Sequence, residues 1–377
     1  MKKALFTAVF AIIIAISLQA SALPPPEVRV LVTSDKSVLI DGYSEKINVL
    51  PQGKRPDESF ASKGTVRISA GNTGLIMNSI PVGTTAMITN TSRRYRIGDR
   101  SFRGSIEAIW KSSDNILIVN HLPIEDYLVG LIGSEVYPTW PMDALKAQAI
   151  AARTYALHHA DAKKQAAARG DYDVTATVLS QVYEGTHKED FRAYAACKET
   201  EGMALLRNGS IFPAYYHSCC GGITEHAKNV WPGEDGPPQI VDKYCKDSPK
   251  MIWNWQIATS RFVEELKKQG IQIGNVLAIS TELESDSPRA KMLLMVDEEG
   301  MKKIKATELR RIFGFSNIKS TWFDVDIKGS HIVFTGRGYG HGAGMCQWGA
   351  KGMADEGFTY EQILKFYYPD AELTRVY

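Results

Sequence analysis

Between Ala144 and Ala156 the chain sets six alanines within thirteen residues, and this run constrains its folding more than any other stretch. Ala144, Ala147, Ala149, Ala151, Ala152 and Ala156 are too small to fill a core alone, so a helix built from them must lie close against neighbouring backbone. Pro141 suits a first helical position, and the pattern predicts a helix from there to about Lys164. Lys146, Gln148, Arg153 and Thr154 interrupt its apolar surface, and buried polar groups require partners. Just upstream, Glu135 stands with Tyr137, Pro138 and Trp140 in a segment read as a short loop, an acid held by a stiff, partly apolar shelf.

The 377 residues allow one large domain or two ordinary ones. Met1 to Ala22 reads as a secretory leader, with Lys2 and Lys3 at the charged start, Ala4 to Leu18 as the apolar stretch and Ala20-Ser21-Ala22 as the cleavage site. The competing reading is an uncleaved membrane anchor at residues 4–18, a run short for a full span of about 20 residues. Either way the folded part is expected outside the cytoplasm, in the periplasm or cell envelope. The leader holds two Lys and no acid, so the remainder has 42 basic residues against 42 acidic ones. A broadly basic, nucleic-acid-binding protein is thereby excluded, and the substrate need not be anionic. Five cysteines in an exported chain leave at least one outside any internal pairing. An oxidising compartment makes a disulfide from Cys245 to Cys219 or Cys220 the default.

Residues 23–115 read as a β-rich N-terminal region of short strands and turns, from Val28–Val32 and Ser37–Ile40 to the alternating Ser105–Trp110. Residues 116–377 read as a catalytic unit that mixes helices with further strands, giving an α+β protein with the long alanine-rich helix packed on β-structure. Asp171 to Tyr183 is expected to form one or two strands, and Asn208-Gly209 signals a two-residue hairpin. The second hairpin strand then leads into His217-Ser-Cys-Cys-Gly-Gly222.

Three groups can carry chemistry. Glu135 is either a helix-entry carboxylate stabilised by the helix N-terminus or a general acid whose proton is retained by an apolar setting. Glu201 and Glu225 are the alternative acids. His217, Cys219, Cys220 and Cys245 could hold zinc tetrahedrally, although their spacing fits no common ligand template; a disulfide plus a hydrogen-bonded His is the other arrangement. Gly336 to Gly349 nominally contains a dinucleotide fingerprint, but too little chain follows for a second strand bearing a ribose-binding acid. Its glycines instead allow close approach to a ligand or a strand, with His341 and Gln347 as the hydrogen-bonding side chains. Cys346 beside that loop could also act as a thiolate with His341, though a helix-start Cys next to Trp348 is more commonly buried.

In order along the chain stand Tyr95 to Gly104, Asn120 to Gly130, Gly133 to Leu157, Ser180-Gln-Val-Tyr-Glu-Gly185 and Thr200-Glu-Gly202. Tyr216-His-Ser-Cys-Cys-Gly-Gly-Ile-Thr-Glu225, Val230-Trp231, Gly336 to Ala350 and Phe366-Tyr-Tyr-Pro369 follow. This set resembles the sporulation stage II protein D family, bacterial exported lytic transglycosylases acting on peptidoglycan. The resemblance implies cleavage of MurNAc–GlcNAc bonds in peptide-stripped glycan strands, with Glu135 in the place of the family's essential acid. It further implies a cleft lined or shaped by Trp140, Lys146, Gln148, Arg153, Gln181, Tyr183, Tyr216, His217, Ser218, His341 and Gln347. No cofactor is required for such chemistry, and zinc in the cleft region is known among relatives. Expected partners are peptidoglycan strands and a cell-wall amidase or other peptidoglycan hydrolase. A non-catalytic, glycan-binding amidase enhancer is the alternative.

Overall fold

The computed structural model describes residues 25–165, 170–178, 180–233 and 236–377. The expected leader at 1–22, and the anchor alternative at 4–18, lie outside the described residues. Among the described residues no helix is long and apolar enough to cross a membrane.

The fold is α+β. Eleven strands among the described residues join in one large sheet. Alternation builds it: in the long strand Ser37–Pro51, Val38, Ile40, Ile47 and Val49 are buried while Leu39 faces solvent. The strand Asn115–Pro123 pairs on one side with Glu27–Asp35 and on the other with Ser105–Ser112. The expected division at residue 115 therefore falls at the start of an inner strand, and one buried cluster runs without a break from Val28 to Ala343. Of the strands expected over Asp171–Tyr183, only Val174–Thr175 forms among the described residues, added in parallel beside Glu27–Asp35. Asn208-Gly209 makes the expected tight turn, both residues with positive φ, and Leu206 pairs with Ile211.

Helix α1 (Ile124–Glu135) leaves the sheet directly after Pro123. Its buried positions Ile124, Tyr127, Leu128, Leu131 and Ile132 recur at helical spacing. Glu135 falls next on the same stripe and closes the helix. The segment read as a loop is therefore the last turn of a helix, which ends at Val136 because Pro138 follows. Helix α2 (Met142–Gln165) is the alanine-rich one, and all six alanines named above are buried. It packs on α1, on α3 (Phe191–Glu199) and on the strand Met203–Arg207, and the short α4 (Ala227–Val230) comes later in the chain.

Residues 252–337 form an inserted unit with its own core, built around Trp253, Phe262, Leu266, Leu293, Leu309 and Phe334. It contains α5 (Thr259–Lys268), α6 (Ala306–Phe313) and two three-stranded antiparallel sheets. The chain leaves the main body after Met251 and returns at Gly338, where the backbone bonds Gly338 N→Met251 O and Tyr339 N→Cys219 O close the root. Helices α7 (Gln347–Asp355) and α8 (Tyr360–Tyr367) then pack against α2.

Candidate active site

Glu135 is half-buried at the C-terminal end of α1. Gly133, two residues earlier, lets the helix lie against the turn Gly185–Lys188, since a Cβ there would collide with the Lys188 carbonyl. That approach carries the 181–184 segment alongside the carboxyl group. Val182 N donates to Glu135 Oε1 at 2.7 Å. From the opposite side Gln347 Nε2, in the first residue of α7, donates to Oε2 at 3.3 Å and to Gln148 Oε1 at 3.5 Å. Neither partner carries a charge. Burial pushes the Glu135 carboxyl above its ordinary value, against the two hydrogen bonds. The helix end works in the same direction, because a C-terminus carries partial negative charge. The helix-entry reading is therefore replaced by its opposite.

A second layer supports the acid. Gln181 accepts from Tyr127 Oη at 3.0 Å and donates to Tyr216 Oη at 2.9 Å and to Ala152 O at 3.2 Å. Both phenols are pushed up, first by burial and then by the Glu135 charge. Trp140, 6% exposed, meets Trp348 edge-on at 5.2 Å and the exposed Tyr137 at 5.8 Å. Arg192 of α3 pins this aromatic corner by donating to Pro138 O and Trp140 O.

Sequence reasoning thus placed Glu135, Trp140, Gln148, Gln181, Tyr216 and Gln347 in one neighbourhood, and the structure brings them together. The others have different surroundings. Lys146 pairs with Glu199 at 2.6 Å and lies over Tyr360. Arg153 is fully buried with its fork on Glu125, both bonds 2.8 Å. Tyr183 is in the core, its hydroxyl on Asn120 at 3.3 Å. Ser218 enters through its carbonyl, which accepts from Trp348 N. His217 and His341 face each other at 5.5 Å; the first is held by Ala343 O and the second by Ala343 N. Burial keeps both imidazoles neutral, holding His217 at about 3 and His341 well below the usual range.

The cysteines also differ from expectation. All five are free thiols, so the expected Cys245 disulfide to Cys219 or Cys220 is absent from the structure. His217 stands apart from the sulfur cluster, which gathers Cys220 and Cys245 with Cys346 and Asp242 instead. Cys219 lies beside that cluster, within reach of Cys245 and Cys346. Cys346 is buried, and its sulfur receives the Cys220 and Gly349 amides, whereas His341 Nδ1 accepts from Ala343 N, so the structure shows no Cys346–His341 pair. Of the alternative acids, Glu225 is buried against Arg289 at 3.7 Å and Glu201 pairs with Lys198. A cavity of about 210 Å³ at the edge of the inserted unit is lined by Glu225, Arg289 and His341 and does not include Glu135.

Three contributors escaped sequence reasoning: the Val182 amide, Tyr127 and Trp348. A backbone donor has no side-chain signature. Tyr127 and Trp348 were readable only as core aromatics until α1 and α7 were placed.

Residues 112–206, which include Glu135 and Gln181, match the family model described as stage II sporulation protein. Residues 246–344, the inserted unit, match a domain of unknown function, DUF8618. An uncharacterised protein of Brachyspira hyodysenteriae is 30% identical over 317 residues, 84% of this chain and 83% of that protein. The Bacillus subtilis amidase enhancer is 29% identical over 295 residues, 66% of this chain but only 40% of the enhancer's length. Stage II sporulation protein D of Bacillus subtilis is 28% identical over 268 residues, 68% of this chain and 76% of that protein. The family match over the segment that carries Glu135 and Gln181, together with the relatives named stage II sporulation protein D and amidase enhancer, places the chain in the stage II sporulation protein D family.

Proposed function

We propose that the protein is a cell-envelope lytic transglycosylase that cuts the MurNAc–GlcNAc bond of peptide-stripped glycan strands, with Glu135 as its single acid and base. The observation that carries this reading is a half-buried carboxyl group that accepts from two neutral donors and whose pKa burial raises. A general acid is favoured by a raised pKa, and pairing with a cation would work the other way.

In the proposed reaction Glu135 gives its proton to the glycosidic oxygen as the C1–O4 bond breaks. The carboxylate so formed, held by Val182 N and Gln347 Nε2, then takes the proton of the muramoyl 6-hydroxyl as O6 bonds to C1. Glu135 ends protonated, and no water is consumed. The ring closure is internal to the sugar, so the second carboxylate of a hydrolase is unnecessary. Trp348 and the exposed Tyr137, both packed on the buried Trp140, offer apolar surface for sugar faces.

The test is mass spectrometry of purified strands after incubation. Wild type is expected to leave anhydro ends one water lighter than hydrolysed ends. Glu135→Gln is expected to lose about 10²–10⁴-fold in rate with an unchanged circular dichroism spectrum. Strand binding with no new ends from the wild type would favour the second reading, a glycan-binding enhancer of an amidase. That reading is supported by the name of the Bacillus subtilis relative.

A further inference from the structure

Three separate segments of the chain meet at the root of the inserted unit, and each brings buried ligand atoms to one point. Cys220 comes from the segment after Tyr216–His217, Asp242 and Cys245 from the approach to residue 252, and Cys346 from the return. Their three sulfurs and one carboxylate oxygen all lie within 4.8 Å of one another, and all four residues are buried. Cys220 Sγ is 3.4 Å from Cys245 Sγ and 3.1 Å from Asp242 Oδ2. Zinc bonds of about 2.3 Å in a tetrahedron set ligand atoms about 3.8 Å apart, so the separations here bracket that of a closed site and small shifts of a few side chains would complete it.

Two further observations point to an ion rather than to four uncharged groups in contact. Backbone amides are aimed at the sulfurs: Cys220 N and Gly349 N at Cys346 Sγ, 3.2 and 3.3 Å, and Gly222 N at Cys220 Sγ, 3.3 Å. Amides so directed stabilise thiolates, the form in which cysteine binds metal. The carboxylate is oriented as well, by Tyr367 Oη at 2.9 Å and Tyr244 N at 2.8 Å, the outer bonds that metal-binding carboxylates normally carry. Gly349 permits this, since any Cβ there would collide with Asp242 Oδ2 and the Tyr367 hydroxyl. The buried guanidinium of Arg289, from the inserted unit, donates to Cys220 O at 2.8 Å and offsets part of the negative charge.

We infer that Cys220, Asp242, Cys245 and Cys346 form a structural zinc site that clamps the inserted unit to the main body. Zn²⁺ displaces the three thiol protons and is redox-inert, and three soft sulfurs favour it over the hard cations. Cys346 also caps α7, whose first residue is Gln347, so the ion fixes the side chain that holds Glu135 Oε2. The inference is independent of the proposed reaction, and its readout is the metal itself.

The full chain, purified without chelator under reducing conditions, is expected to carry roughly one zinc per molecule by elemental analysis. Exchange with Co²⁺ is expected to give thiolate charge-transfer bands and the visible spectrum of a tetrahedral ion. Cys245→Ser and Cys346→Ser should each lower metal content to less than about a tenth. Asp242→Asn, which preserves the shape of the site, should alter the cobalt spectrum even where a cysteine variant fails to fold. Cys197→Ser, remote from the cluster in α3, should change nothing. A metal-free wild type that also fails to take up Co²⁺ would overturn the inference. So would envelope-derived protein two hydrogens lighter, with Cys245 cross-linked to Cys219 or Cys220.

Discussion

Helix α1 carries a glutamate at each end, and their surroundings are opposite. Glu125, in the first turn, accepts a two-bond fork from the fully buried Arg153, a bond from Gly202 N and another from the Tyr377 hydroxyl. Glu135, in the last turn, accepts from one backbone amide and one carboxamide. The helix dipole favours the first position and opposes the second. The same side chain is thus a structural anchor where a cation and the helix N-terminus hold its charge, and the proposed proton donor where both are withheld.

Removing the cation at the anchored end should have the largest effect. Arg153 also donates to Met203 O at 3.1 Å and to Cys197 O at 3.3 Å, so it ties α2 to α1, α3 and the strand beyond. Arg153→Met is expected to cost about 3–5 kcal/mol, because Glu125 would be left with an uncompensated buried charge. Urea unfolding measures it. Adding Glu125→Gln should recover part of the loss, and a fully additive double variant would show that the two groups do not act as a pair.

Next in size is the poised end. Gln347→Ala removes the side-chain donor from Glu135 Oε2 and should slow strand cleavage roughly tenfold. The bond favours the ionised form, so its loss should also move the falling alkaline limb of the rate profile to higher pH. A slower enzyme with an unmoved limb would make Gln347 a packing residue only.

The contrast between the two glutamates was only half legible in the sequence. Alternating strands, the hairpin at Asn208-Gly209 and the alanine-rich helix were readable because each is a local pattern. The polar residues interrupting α2 were rightly expected to need partners, but nothing local distinguished Arg153, which faces Glu125, from Gln148, which faces Gln347. Glu135 was placed in a loop because Pro138 and Pro141 dominate the segment. The spacing from Ile124 through Tyr127, Leu128, Leu131 and Ile132 would have put it on the buried stripe of a helix. The inserted unit showed its strands and helices without its independence: no linker signal marks the exit after Met251, and the glycines at the return, Gly336 to Gly344, read as a close-approach loop and not as a boundary. The sulfur cluster depends on partners up to 126 residues apart, a separation that no spacing rule reads.

The smallest predicted effect separates the two ends by stability alone. A carboxyl whose folded value is raised contributes stability that is complete below its unfolded value and is lost as pH rises through the folded one. For Glu135 that loss begins above the ordinary carboxyl value of 4.5, where the unfolded chain ionises and the folded chain resists. Glu135→Gln retains the shape and cannot ionise, so it should be as stable as wild type in acid. At neutral pH it should be more stable by about 0.5–1 kcal/mol, a modest gain because the group is half exposed. Glu125→Gln should do the reverse at neutral pH, since it leaves Arg153 buried without its counter-charge. Thermal unfolding of both variants between pH 4 and 8 gives the two signs directly. If Glu135→Gln instead lowered the midpoint at neutral pH, its carboxylate would be held by the fold as firmly as that of Glu125, and its assignment as a proton donor would fall with the contrast.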